Sequence, residues 1–463
     1  MIIDGIQSGA VLQRNPQTNT CDIRLIYKGK NLSCNMGALT KLDNERYSLC
    51  EIPTGGPYRL VFSDGEDECV FTDVYVGDLW LLAGQSNMEG AGRLRPQDSP
   101  EHCAVDSVRA YYMDDHWGKA IPDLHQLWTS KDPAHVRATE LNMGLTPEMA
   151  AAKSKEMLKN HVKCVGPGFF FGRKLFEHSS VPQGLLPTAI GGAPIELWYP
   201  QNDGTENYYS AACRRIISCG GNIRGIFWYQ GEGFGGADED YVKMFESMRK
   251  GFAALCEKDE IPCVQVQLFR STIPSILRSE TSNFDWSRFR SNQLKMEAEL
   301  PCLATVASND LDLDDCIHLS ANSQEILGIR GANAMAELIE KGKACEPRIE
   351  SVEILPDSCS SSVLALRIKF KNLCGALGST GIPSGFSLSD GNSIPDEGGI
   401  QRISLAEDSA IIRVEYDLET LRSKKLWYGF GHSFYCNIQD ESHRAIPSFG
   451  PISLDSAICN INE

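Results

Sequence analysis

No Cys-x-x-Cys pair occurs in this chain, although it carries 17 cysteines between Cys21 and Cys459. That absence removes a zinc ribbon and a thioredoxin-like redox motif from consideration. No run approaches the ~18 apolar residues that a membrane-spanning helix requires, so no membrane contact is expected. Cations are also in deficit: 44 Lys and Arg stand against 61 Asp and Glu, a formal charge of −17. Such a surface repels phosphate backbones and argues against nucleic acid as a partner. Internal repeats and low-complexity stretches are missing. The opening Met1-Ile2-Ile3-Asp4-Gly5 lacks a basic region followed by a long apolar one. A cytoplasmic chain with reduced thiols is therefore the expectation, against the alternative of a secreted protein whose leader was trimmed.

What is present fits a folded protein of several domains. The hydrophobic share is 42% and the charged share 23% over 463 residues, both ordinary for globular chains. Residues 1–75 alternate in short runs such as Ile23–Tyr27 and Tyr58–Phe62, separated by turns such as Ser63-Asp64-Gly65. This pattern predicts a small β-sandwich. From Leu79-Trp80-Leu81-Leu82-Ala83 onward the strands are apolar on both faces, as a parallel sheet requires. Similar runs start at Leu185, Gly225, Val264 and Leu303. Helical patterns lie between them. One starts near Asp238 and puts Tyr241, Phe245, Met248, Phe252 and Leu255 on one face; another covers 285–300; a third follows Ser320, a plausible N-cap, to Gly342. Residues 76–345 are thus predicted to be an α/β core with a mainly parallel sheet. Residues 96–163, which hold five of the nine histidines, show no clear strand after Val108–Tyr112 and read as a long loop or insert with one short helix (147–158) that covers the site. Residues 346–463 return to a β pattern and read as a second β-sandwich.

Active sites of parallel α/β sheets form where loops leave the carboxyl ends of strands. Four such ends carry chemistry. Gly84-Gln85-Ser86-Asn87-Met88 sets a serine between a strand and a helix, where its hydroxyl can act as a nucleophile or merely cap the helix. Gly191-Gly192 permits close backbone approach to a ligand. Gln230-Gly231-Glu232 follows the third strand. The formal G-x-G-x-x-G of Gly231, Gly233 and Gly236 is a poor dinucleotide fingerprint, because Glu232 would face the pyrophosphate and no acid ends the next strand. The amide of Gln230 is instead a candidate donor to an oxyanion. Asp315-Cys316-Ile317-His318 offers a carboxylate that can orient an imidazole. The neighbouring Asp310, Asp312 and Asp314 lack the glycine and terminal glutamate of an EF-hand loop, so no metal is expected.

These blocks resemble those of the sialate O-acetylesterase-like branch of the SGNH hydrolases. Gly84–Met88 is similar to the nucleophile block, Gly191-Gly192 with Trp198 to the glycine block, Trp228-Tyr229-Gln230-Gly231-Glu232 to the third block, and Asp315–His318 to the terminal Asp-x-x-His. Val11-Leu12-Gln13-Arg14, Phe370-Lys371-Asn372 and Ile446–Pro451 resemble the flanking β-domains. Ala193 and Leu319 depart from the pattern, where Thr or Ser and Pro are usual.

The resemblance implies a flavodoxin-like SGNH hydrolase core between N- and C-terminal β-sandwich domains. It implies a carbohydrate O-acetylesterase acting on sialic acid or hemicellulose-derived oligosaccharides such as xylan, without a cofactor. Ser86 is then the nucleophile, His318 the base and Asp315 its partner. The oxyanion hole is formed by Ser86, Gly192 (or Gly191) and Gln230. Glu232 would orient Gln230, bind a sugar hydroxyl or anchor its loop, and Trp198 would stack on a sugar or pack in the core. A short-chain esterase for a non-sugar substrate and a glycan-binding protein with a vestigial site are the alternatives. The charge of −17 leans slightly towards neutral sugars.

Overall fold

The apolar run Leu79–Ala83 is the inner part of a 17-residue strand, Glu68–Gly84. Its first half pairs antiparallel with Gly55–Ser63. Its second half is buried throughout and runs parallel to Gln183–Pro187 on one side and Gly225–Tyr229 on the other. Val11–Gln13 also pairs with it in parallel, with Val11 opposite Tyr75. Leu79, Leu81 and Leu82 have no solvent exposure. Burying each such side chain contributes roughly 1.5–3 kcal/mol.

The computed structural model describes the chain except residues 30, 100–102, 145, 147, 148, 150, 151, 153–155, 157–161, 202–205, 234–237, 274–279, 358, 359, 392, 396, 397 and 460–463. The fold is mixed α/β, with a mainly parallel central sheet and separate antiparallel sheets. Contacts divide the chain into two units. One is Met1–Val264 with His318–Ile339; the other is Gln265–Ile317 with Glu340–Glu463. The boundary expected near residue 75 therefore falls inside a continuous strand. The N-terminal β segments group with the parallel sheet because Glu68–Gly84 serves both.

In the first unit the sheet order is Trp117–Lys119, Val108–Tyr111, Gln183–Pro187, Glu68–Gly84, Gly225–Tyr229. The helix Asp238–Leu255 presents the predicted stripe, with Tyr241, Phe245, Met248 and Phe252 fully buried. The block Val11–Arg14 has a structural use. The Arg14 guanidinium donates from Nε and Nη2 to Asp78, both at 2.9 Å, and the Gln13 side chain accepts the Leu79 N–H at 2.7 Å. These bonds tie the N-terminal segment to the central strand where its pairing with Gln183–Pro187 begins.

The 96–163 segment is more structured than a loop. Val108–Tyr111 and Trp117–Lys119 pair antiparallel within the main sheet, and Pro133–Met143 is a helix. Most of the helix expected over 147–158 lies outside the described residues. His125 and His135 of this segment are buried. Burial pushes their imidazoles down to about 3 and about 4, so both are neutral at ordinary pH. The Oγ of Ser130 lies 2.8 Å from Nδ1 of His135.

The second unit holds the helix Glu280–Glu299, the strand Leu303–Val306 and antiparallel β structure. One sheet orders Ile400–Leu405, Ser409–Val414, Ser360–Lys371 and Arg348–Asp357, with Ile458–Cys459 at its edge. Another orders Phe386–Asp390, Lys424–Tyr428 and Phe449–Ser453. Leu366, Ile368 and Ile412 from the first share one apolar cluster with Phe386, Leu426 and Phe449 from the second.

Candidate active site

Strand register decides which loops meet. Tyr229 lies opposite Gly84, and Pro187 opposite Leu82. Beyond the paired strands, the Gln85 N–H donates to the Tyr229 carbonyl at 2.9 Å and the Ile190 N–H to the Gly84 carbonyl at 3.3 Å. The segments that begin at Gln85, Gly191 and Gln230 therefore leave the sheet side by side. Gly84 has φ +137, and a Cβ there would lie 2.0 Å from the Tyr229 carbonyl oxygen. Only glycine fits between these two strands at that point.

Ser86 opens a one-turn helix, Ser86–Glu89, and its side chain is partly exposed. The Nε2 of His318 lies 3.0 Å from Ser86 Oγ, across 232 residues of sequence. This is the reach a base needs to a nucleophile. The backbone just after His318 is held by Asn87, which is fully buried. The Leu319 N–H donates to Asn87 Oδ1 at 3.0 Å, and the Gln324 side chain donates to the Asn87 carbonyl at 3.1 Å. Ser320 caps the helix Ala321–Lys341 by accepting the Ser323 N–H at 3.2 Å. That helix start and the nucleophile turn are thus locked together through Asn87.

Asp315 belongs to the second unit, and its Oδ1 accepts the Ile317 N–H at 3.0 Å. In the same unit the Thr272 N–H donates to the Cys316 carbonyl at 2.8 Å. Asp310 of the acidic loop accepts a hydrogen bond from Gln439 at 2.5 Å. Among the described residues no group of three or more His, Cys, Asp or Glu is arranged to hold a metal ion.

The amide of Gln230 is buried. One Nε2 hydrogen goes to the Ala193 carbonyl at 3.3 Å, and Oε1 has no hydrogen-bond partner. The backbone N–H groups of Ser86 and Gly192 meet no acceptor among the described residues. By contrast, the Gly191 N–H donates to Glu89 Oε2 at 2.5 Å. The loop glycine with a spare donor is therefore Gly192.

Two open readings narrow here. Trp198 is fully buried, edge-on to Trp228 at 5.3 Å and to Tyr208 at 6.0 Å. Its ring faces are taken by the core, so it does not stack on a sugar. Glu232 does not bond Gln230. Its Oε1 accepts from Asn87 Nδ2 at 2.8 Å, while Oε2 is shielded and has no hydrogen-bond partner. Gly236 of the G-x-G-x-x-G pattern lies outside the described residues. Motif reading passed over the bonds of Asn87, inside the quoted block, and of Glu89, just after it.

Burial pushes the Glu232 carboxyl above its ordinary value, opposed by the Asn87 hydrogen bond and by His318. A raised folded-state value means the folded protein binds this proton more tightly than the unfolded chain. The contribution is complete below the unfolded value and is lost as pH rises through the folded one. Glu232→Gln removes that loss. The variant should melt higher than wild type at neutral pH, with the gain vanishing in acid. Thermal unfolding of both proteins between about pH 4 and 8 checks this; a difference that does not vary with pH would refute it.

A family model described as "Carbohydrate esterase, sialic acid-specific acetylesterase" matches residues 76–337. Sialate O-acetylesterase of Homo sapiens is 25% identical over 213 residues, covering 38% of this chain and 36% of that protein. The Rattus norvegicus protein of the same name is 23% identical over 252 residues, covering 43% and 44%. The matched stretch thus spans less than half the length of either relative. Among solved structures, a carbohydrate acetylesterase from Xanthomonas citri superposes with a TM-score of 0.69 at 19% identity, covering 97% of this chain and 99% of that one. At that identity the likeness speaks for the fold.

Proposed function

We propose that this chain, which belongs to the carbohydrate esterase family of sialic acid-specific acetylesterases, removes O-acetyl groups from sugar hydroxyls by a serine mechanism. The observation that carries the reading is the 3.0 Å approach of His318 Nε2 to Ser86 Oγ, beside two backbone N–H groups without acceptors. Ser86 Oγ attacks the acetyl carbonyl while His318 takes its proton. His318 then returns that proton to the leaving sugar oxygen, and water releases acetate from the acyl-enzyme by the reverse sequence. The Ser86 and Gly192 N–H groups and the second Nε2 hydrogen of Gln230 stabilise the oxyanion. Asp315 fixes the imidazole tautomer and offsets the positive charge that develops on it. No step calls on a metal or an organic cofactor. The same reading takes the parallel sheet as a flavodoxin-like SGNH core and the antiparallel sheets as flanking β-sandwiches.

The family and the blocks that resemble it support acetylated sialic acid, or acetylated hemicellulose fragments such as those of xylan, as the substrate class. Acetate release from acetylated sialic acid, xylan and mannan oligosaccharides, run beside an acetyl-to-octanoyl series of 4-nitrophenyl esters, tests the proposal. Turnover of at least one sugar acetate and a fall with acyl length are expected. Activity confined to the long acyl esters would overturn it.

A further inference from the structure

We propose that Glu89 is a positioning residue of this esterase site. It engages the Gly191 N–H and so fixes the turn that presents the Gly192 N–H as the loop's oxyanion donor. The inference rests on the serine-esterase reading above, and four observations carry it.

Glu89 lies three residues after Ser86 on the same helical turn, so nucleophile and carboxylate are rigidly related. Its Oε2 accepts the Gly191 N–H. A Cβ on Gly191 would come within 2.9 Å of that oxygen and 3.8 Å of the Ser86 Cβ, so the loop passes directly over the nucleophile. Finally, Ile190-Gly191-Gly192-Ala193 closes a turn through the Ala193 N–H and the Ile190 carbonyl at 3.1 Å, with Gly192 at φ +70.

A turn with positive φ only at its third residue is of type II form, and its middle peptide takes no part in the closing bond. The N–H of that peptide belongs to Gly192. It has no acceptor among the described residues, and a Cβ on Gly192 would meet nothing within 4 Å. The donor is therefore unengaged by protein, on an exposed glycine next to the one that lies against Ser86. The turn could rotate about its ends if Gly191 were untethered, and the carboxylate removes that freedom.

A negative charge beside a developing oxyanion is electrostatically unfavourable. The gain must therefore come from geometry, and an uncharged acceptor of the same length should supply much of it. This separates the proposal from a merely structural role. Glu89→Ala should lower kcat on 4-nitrophenyl acetate by about ten- to a hundred-fold, short of the full loss of a donor, with KM within about two-fold. Glu89→Gln, whose amide oxygen can accept from Gly191, should recover most of that loss. Glu89→Asp keeps the charge but not the reach, and should fall with alanine; it serves if the alanine variant unfolds.

The second readout is inhibition by phenylboronic acid. Ser86 Oγ adds to boron, its proton passes to His318, and the tetrahedral boronate sits where the oxyanion would. Affinity for it should drop in Glu89→Ala by a factor similar to kcat. Unchanged kcat in Glu89→Ala and Glu89→Asp overturns the proposal, as does a glutamine variant as slow as alanine or a boronate affinity that does not follow kcat. Ser86→Ala is the control: if that variant stays active, the esterase reading itself fails, whatever Glu89 does.

Discussion

Ser86→Ala should cut the release of acetate from a chromogenic acetyl ester by on the order of 10⁴-fold or more, with the folded structure intact. The side chain is partly exposed, so loss of its hydroxyl leaves no buried group unsatisfied. The Asn87 bonds that lock the neighbouring helix start do not pass through the Ser86 hydroxyl. Melting temperature should therefore stay close to wild type while activity disappears. Wild-type turnover in the purified variant would remove Ser86 as the nucleophile.

His318→Ala should cost a comparable factor, for a different reason. Ser86 keeps its place but loses the group that accepts its proton. The two losses should not add. Nucleophile and base act as one unit, so the double variant should be no slower than the slower single variant, within experimental error. Multiplied losses in the double variant would mean that the two residues act separately, and the 3.0 Å approach would then have no catalytic meaning. Added imidazole gives a second check. It should restore part of the activity of His318→Ala and none of that of Ser86→Ala.

Much of this site is legible in the sequence because its parts sit at strand ends. Leu79–Ala83 is apolar on both faces, which identifies it as an inner parallel strand, and Ser86 follows at the end where ligands bind. The stripe from Tyr241 to Phe252 and the cap at Ser320 are local signals, and local signals survive without partners. What the sequence hides is pairing over distance. Glu89 meets a glycine 102 residues away, and Asn87 meets a glutamate 145 residues away. Nothing near either residue announces the partner. Trp198 shows the converse limit. A tryptophan beside a glycine block suits a sugar platform and a core equally well, and only packing against Trp228 decides. The 96–163 segment was opaque because its strand Trp117–Lys119 is three residues long and carries too little pattern to read.

The 17-residue strand from Glu68 to Gly84 bears on how this chain can be dissected. Any fragment beginning where the family match begins, at residue 76, would cut through it. The stub would lose its antiparallel partner Gly55–Ser63 and the parallel contact to Val11–Gln13, and would bare its own hydrogen-bonding edge to other chains. Ser86, the proposed nucleophile, stands two residues past the end of that same strand. The N-terminal β layer and the nucleophile are therefore one inheritable piece: they share a single span of backbone, and neither can be grafted, shuffled or trimmed without the other.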